Sequence, residues 1–271
     1  MRMPLHIILK KEGRPMIFDA HVHLPCYDDR LTTLDQKRER LLSDLAANGV
    51  DGAMVIADSE SVSNIGTPAE CVALFEGDKN IFVMGGISPL IDYQMRLAQL
   101  DDLLNRKKIV AIKLYPGHEA FYMDDPRLGD VYALCEKHDV PLAVHTGWDN
   151  PHYTQPRFFP EIAQQHPSLQ LVICHLCWPD VDLCYERTAP HPNIHWDISS
   201  LAHETDALQK TAYSLSAMAK HHPERILFGS DYGMCSIKAH LDLVHSLPIP
   251  EAQKRMILAG NALKLYNISL P

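Results

Sequence analysis

The chain reads as a (β/α)8 TIM barrel, a closed sheet of eight parallel strands with helices between them. Three observations predict it. Eight short, apolar runs rich in β-branched residues occur in order, and their starts recur at roughly thirty-residue intervals, close to the ~250 residues of such a barrel divided by eight. The runs are continuous rather than alternating, as strands covered on both faces must be. Helical patterns fill the gaps. An open dinucleotide-binding sheet is the main competitor. It lacks its signature here, because no G-x-G-x-x-G follows the first run.

The strand runs are residues 15–23, 50–57, 81–88, 109–115, 141–145, 169–175, 194–199 and 225–231. The first helix, 34–47, carries Leu34, Leu41, Leu42 and Leu45 on one face, with Gly49 as its stop. Thr67-Pro68-Ala69-Glu70 is a capping box with proline at the first helical position, and Gly77 closes that helix. Asp125-Pro126 opens another, which runs through Leu134 and ends near His138. Residues 202–221 form a long, Ala-rich helix and 250–266 a terminal one. No linker, low-complexity tract or charge block divides the chain. Residues 1–271 therefore read as one domain, with 1–14 a short extension covering the barrel bottom.

Composition narrows the function classes. Apolar residues make up 46% and charged residues 22%, the balance of a core-forming globular chain. No segment approaches the roughly 20 uninterrupted apolar residues of a membrane helix. The start, Met1 to Lys11, is too short and poorly flanked for a secretory signal, so a cytoplasmic protein without a membrane partner is expected. A net charge of −9 argues against nucleic acid as a partner. Seven cysteines, an odd number, read as reduced thiols. Cys174 and Cys177 form a C-x-x-C, but the second pair that a zinc ribbon needs is missing, and Pro179-Asp180 place the next helix too late for a thioredoxin-like motif. Sixteen histidines are the unusual figure. His166, His221 and His222 lie near helix C-termini, where a surface cation suits the dipole.

In a barrel the chemistry sits at the C-terminal ends of the strands. The first run ends Asp19-Ala20-His21-Val22-His23, and period-two alternation puts His21 and His23 on one side. That pair is half a site for zinc or a similar divalent ion. Strand four presents Lys113 and Tyr115, strand five His145, strand six His175 and strand eight Asp231. Singly, each has an ordinary explanation: a satisfied core histidine, a turn or helix cap for Asp231, a snorkelling Lys113. Jointly, four imidazoles and a carboxylate in one buried layer need a compensating charge, since burial without partners costs several kcal/mol. A divalent cation supplies it.

The set His21-Val22-His23, Ala111-Ile112-Lys113-Leu114-Tyr115-Pro116, Val144-His145-Thr146-Gly147, Cys174-His175-Leu176, Asp197-Ile198-Ser199 and Phe228-Gly229-Ser230-Asp231 resembles the amidohydrolase superfamily. It looks most like the amidohydrolase-related (amidohydrolase 2) branch of metal-dependent hydrolases and decarboxylases. The closing Gly260-Asn261-Ala262-Leu263-Lys264-Leu265-Tyr266 is similar to that family's usual ending. The resemblance implies one or two divalent ions, zinc first, with manganese or another transition metal as alternatives. It implies His21, His23, His145 and Asp231 as metal ligands, with Asp231 also handling the proton of a bound water. His175 then orients that water or polarises substrate, or is itself a ligand in two-metal members. Lys113 lies where two-metal members carry a bridging carboxylated lysine. The sequence leaves open whether Lys113 is modified, contacts substrate as a plain cation, or does neither.

Three imidazoles and a carboxylate leave a coordination position for water, whose pKa falls from 15.7 toward about 7 on such an ion. Asp231 is placed to take that proton. Asp19, two residues before His21, is equally suited to supporting a ligand and to an ordinary turn or salt bridge. The loops after strands four and five hold His118, Phe121, Tyr122, Arg127, Trp148, Asp149, His152, Tyr153 and Arg157. Their rings and guanidinium groups suit a small carboxylate or aromatic acid, with Tyr115 and Trp148 as expected substrate contacts. The leading expectation is a hydrolase cleaving a C–N or C–O bond (amide, lactone or ester) of a small organic acid. The alternative is a non-oxidative decarboxylase or hydratase of an aromatic or unsaturated acid. A barrel that binds metal without catalysis would lack one of these groups, and each position is filled. The partner is a small carboxylic acid; the chain acts alone or as a homo-oligomer.

Overall fold

The computed structural model describes residues 14–59, 63–202 and 205–271, so all but Arg14 of the expected N-terminal extension lies outside the described residues. Eight parallel strands pair in chain order: β1 (Phe18–Val22), β2 (Gly52–Ile56), β3 (Ile81–Gly86), β4 (Ala111–Leu114), β5 (Leu142–Val144), β6 (Leu171–Cys174), β7 (Ile194–Asp197) and β8 (Ile226–Leu227). The seam between β8 and β1 is bridged by three backbone bonds. Ala20 N–H donates to Phe228 O at 2.8 Å, Asp231 N–H to His21 O at 2.9 Å, and His23 N–H to Tyr232 O at 2.8 Å. The sheet is a TIM barrel.

Two apolar clusters explain why the strand runs are continuous. Phe18, Met54, Ile56, Met84, Ala111, Val172 and Leu227 fill the barrel interior, closed below by Leu263 and Tyr266. Leu41, Val55, Leu100, Ile112, Leu142 and Trp196 belong to the larger layer between sheet and helices. Each strand thus buries both faces, and apolar area removed from water stabilises at about 25 cal/mol per Å².

The helices are α1 (Leu34–Ala47), α2 (Pro68–Leu74), α3 (Tyr93–Asn105), α4 (Gly129–His138), α5 (Phe158–Gln165), α6 (Val181–Thr188), α7 (Thr205–His221), α8 (Ile237–Ser246), α9 (Glu251–Arg255) and α10 (Asn261–Leu265). In α1, Leu41 and Leu45 are buried whereas Leu34 and Leu42 are only half covered. The α2 capping box is complete: Thr67 N–H donates to the Glu70 carboxylate at 2.8 Å and Glu70 N–H to the Thr67 hydroxyl at 3.4 Å. A cap of this kind contributes about 1 kcal/mol. The Asp125-Pro126 start forms a short 3₁₀ turn, Pro126–Leu128, ahead of α4. Residues 203–204 of the expected 202–221 helix lie outside the described residues. The terminal helix is interrupted by a π-helical stretch, Met256–Gly260, which lets Ile257 O accept the Phe228 N–H at 3.0 Å and anchor the end of β8. No helix among the described residues is long and apolar enough to cross a membrane.

Candidate metal centre

The two histidines of β1 reach the barrel mouth through a change of phase. Phe18 and Ala20 pack inside the barrel, but Val22 packs in the outer layer. The register against β2 shifts between Asp19 and Val22, and this bulge turns His21 and His23 together toward the mouth. Their Nε2 atoms lie 3.3 Å apart. Asp231, just beyond β8, brings Oδ1 to 3.4 Å from His21 Nε2 and 3.5 Å from His23 Nε2.

Hydrogen bonds on the far side of each ring decide what these atoms are. His21 Nδ1 faces Asp197 Oδ2 at 2.5 Å, so it carries the proton and donates. His23 Nδ1 donates to Ile56 O at 3.1 Å. Both Nε2 atoms are therefore lone pairs, and both face a carboxylate oxygen. Burial lowers the pKa of each imidazole and keeps the rings neutral. For Asp231, the Ser200 hydroxyl donates to Oδ2, which favours the ionised carboxylate. Three electron-rich atoms pointed at one another repel, and a cation among them reconciles the arrangement. This donor set of two neutral imidazoles and one carboxylate fits a divalent transition metal.

His175 shares the layer. Its Nδ1 donates to Ser199 O at 3.0 Å, its ring centroid lies 5.1 Å from that of His21, and burial keeps it neutral. His145 is buried, with its ring 4.9 Å from His175, and Nε2 has no hydrogen-bond partner among the described residues. Its ring also lies 4.2 Å from His118. The ligand atoms of His118, His145 and Asp149 lie within 4.8 Å of one another, a group separate from that of His21, His23 and Asp231. The structure thus puts His145 beside the first three groups rather than among them.

Lys113 projects into the barrel between Ala111 and Tyr115 and is fully buried. Its Nζ lies 3.1 Å from Cys174 Sγ, a thiol that burial pushes up to about 12. The Tyr115 hydroxyl donates to Ala57 O at 2.8 Å, and Trp148 stacks on Trp178 with centroids 5.7 Å apart. One cavity of about 330 Å³ is lined by all eight residues singled out from the sequence: His21, His23, Lys113, Tyr115, His145, Trp148, His175 and Asp231. A neighbouring space of about 530 Å³ shares His23, Tyr115, His118 and Met234 with it. The loop arginines stay out of the cavity. Arg127 pairs with Asp125 at 2.5 Å and Arg157 sits over the Phe158 ring.

Asp19 does not support an imidazole. Its Oδ1 accepts the N–H of His21 at 3.2 Å and of Ser230 at 2.9 Å, which ties β1 to the residues after β8. Burial raises its pKa to about 7. The supporting carboxylate is Asp197, at the end of β7, to which the sequence reading assigns no role. An acid closing an apolar run is the signal that finds it. Ser199 and Ser200, which hold His175 and Asp231, give no comparable signal.

The backbone is held unusually at this end. Trp148, His175, Ser200 and Asp231 adopt positive φ of 46°, 61°, 62° and 59°. Such angles are unfavourable for residues with a side chain and collect where surrounding structure enforces a functional geometry. A Cβ on Gly229 would meet Asp197 Oδ1 and come 2.8 Å from His21 Cβ, so only glycine fits behind the His21–Asp197 pair.

Residues 18–268 match the model of the Amidohydro_2 amidohydrolase family. The chain belongs to that family. Solved structures similar to this amidohydrolase-family chain show the same fold. An uncharacterized TIM-barrel protein from Bordetella bronchiseptica aligns with a TM-score of 0.77 at 22% identity, over 93% of this chain and 98% of its own. A 5-carboxyvanillate decarboxylase from Sphingomonas paucimobilis aligns with a TM-score of 0.64 at 15% identity, over 94% and 99%. A dihydroxybenzoic acid decarboxylase from Polaromonas, solved with manganese and the inhibitor 2-nitroresorcinol, aligns with a TM-score of 0.65 at 14% identity, over 93% and 97%. No curated protein matches the sequence.

Proposed function

We propose that this amidohydrolase-family chain is a metal-dependent enzyme that removes carbon dioxide, without oxidation, from a small aromatic or unsaturated carboxylic acid. The observation that carries the metal chemistry is the convergence of His21 Nε2, His23 Nε2 and Asp231 Oδ1 within 3.3–3.5 Å at the wall of a 330 Å³ cavity. Preference for decarboxylation over the hydrolysis expected first from sequence rests on the similar structures, two of which are named as aromatic-acid decarboxylases. Manganese, present in one of them, joins zinc as the metal to test first.

His21, His23 and Asp231 would hold the ion, with His145 and His175 alongside. When bound, it supplies a Lewis acid that neutralises charge on the substrate's oxygens. The chain's own groups do the rest. Asp197 keeps His21 in the tautomer that turns its lone pair into the cavity. Tyr115 and Trp148 give flat walls that orient an unsaturated ring. Asp231, ionised at rest, is placed to take up a proton from solvent water and deliver it to the ring carbon as the C–C bond breaks and carbon dioxide leaves. Carboxylate plus proton becomes a C–H bond plus carbon dioxide, and no oxidant is consumed.

Metal-loaded protein should be incubated with hydroxybenzoate-type acids, lactones and N-acyl amino acids in water labelled with heavy oxygen. Carbon dioxide release from an acid, with no label in the organic product, is the expected result. Labelled carboxylate from a lactone or amide, with no carbon dioxide from any acid, would replace this reading with hydrolysis.

A further inference from the structure

We infer that Lys113 binds an anionic oxygen of the substrate, as an unmodified ammonium beside the proposed metal; this rests on the cavity being an acid-binding active site. Lys113 is 0% exposed, held inward by strand alternation between Ala111 and Tyr115. Among the described residues no carboxylate pairs with it. Its near neighbours are the Cys174 thiol at 3.1 Å and the Tyr115 ring at 5.4 Å. A neutral thiol is a weak acceptor and a ring face a weak counter-charge. Of the nearby acids, Asp197 acts on it only at a distance, accepting from His21 Nδ1 and Ser199 N–H, and Asp231 accepts from the Ser200 hydroxyl.

A buried ammonium without an anionic partner is costly, and a bound carboxylate or phenolate removes that cost. Among the described residues, the cavity lining contains no arginine and no second lysine. Beside the proposed metal ion, the Lys113 amine is a second group in the cavity suited to an anionic oxygen.

The test uses manganese-loaded full chain and two probes of one shape: benzoate and neutral benzamide. Calorimetry should show benzoate binding more tightly than benzamide. Lys113→Met should weaken benzoate at least about tenfold, leave benzamide unchanged and leave the manganese count per chain unchanged. Lys113→Arg should restore part of the loss, and it carries the test if the methionine variant does not fold. Wild type that binds no benzoate, or a Lys113→Met chain that binds it as well as wild type, overturns the assignment. So does intact mass showing one added carbon dioxide on Lys113, with metal lost in the variant. Because the readout is binding, a wild type that proves to be a lactone hydrolase would sink the proposed reaction without touching this result.

Discussion

The two ends of the barrel treat buried polar groups in opposite ways. At the floor they face backbone carbonyls. Arg225 donates to His191 O at 2.6 Å and Ala189 O at 2.8 Å and lies 4.2 Å over the Trp196 ring. Asn261 donates to Pro223 O and Ile226 O at 2.7 Å each, and Asn193 to Leu169 O at 2.9 Å. Each floor donor finds an acceptor, so each bond adds to stability. At the mouth, lone pairs of His21 and His23 face a carboxylate and Lys113 faces a thiol. Under the proposed function, a cation and an anion arriving from outside would satisfy these groups, and the metal-free fold gains little from them. Stability and chemistry are therefore carried by different ends of the same eight strands.

Asp231→Asn separates them most sharply. The amide keeps the shape but loses the charge and the proton acceptor, so metal content should fall and turnover should drop by about three orders of magnitude. The melting temperature of the metal-free variant should stay level or rise, because an amide N–H can donate to an imidazole Nε2 that the carboxylate only repels. Full metal content with wild-type turnover would place the catalytic centre elsewhere. A metal-free variant that melts several degrees lower would show that the mouth stabilises the fold after all.

Arg225→Met makes the converse change at the floor. Methionine keeps much of the packing on Trp196 but strands the carbonyls of Ala189 and His191. A loss of about 2–3 kcal/mol in urea unfolding is expected, with kcat per folded molecule unchanged. Reduced kcat at unchanged stability would erase the distinction between the two ends.

That division also governs how much could be read from sequence. The barrel was legible because parallel strands bury both faces and so become continuous apolar runs. Their ends were not. Residues 228–231 read as strand, yet β8 stops at Leu227 because the following backbone groups bond across the seam to β1 and to Ile257. His21 and His23 were legible as a pair because i and i+2 share a side whatever the phase, although the bulge that turns them inward left no mark. Asp231 was found as an acid at a strand end. The company of Lys113 was not, since Cys174 lies 61 residues away and meets it only across the closed barrel. The grouping of His145 with His118 and Asp149 depends on two loops whose paths no local pattern dictates. The loop arginines, read as acid-binding candidates, instead satisfy a neighbouring carboxylate and a ring.

The smallest effect tests whether the floor is as passive as its hydrogen bonds suggest. His195, on β7 beside Arg225, has Nε2 3.0 Å from Gln170 Oε1 and Nδ1 without a hydrogen-bond partner among the described residues. Burial, then Arg225 and Lys264, lower its pKa from 6.5 to about 4. The folded chain therefore binds fewer protons than the unfolded chain between those values, and stability must fall as pH drops through 6.5 toward 4, levelling below it. Its share of the loss between pH 7 and pH 5.5 is about 1 kcal/mol. The mouth imidazoles have lowered pKa values too, so the measurement is a difference of differences: urea unfolding of wild type and His195→Gln, both metal-free, at the two pH values. The glutamine variant can keep the bond to Gln170 but has no proton to take up, so its pH sensitivity should be smaller by that amount. Equal sensitivity in the two chains would mean that His195 ionises freely and that water reaches the floor as readily as the mouth.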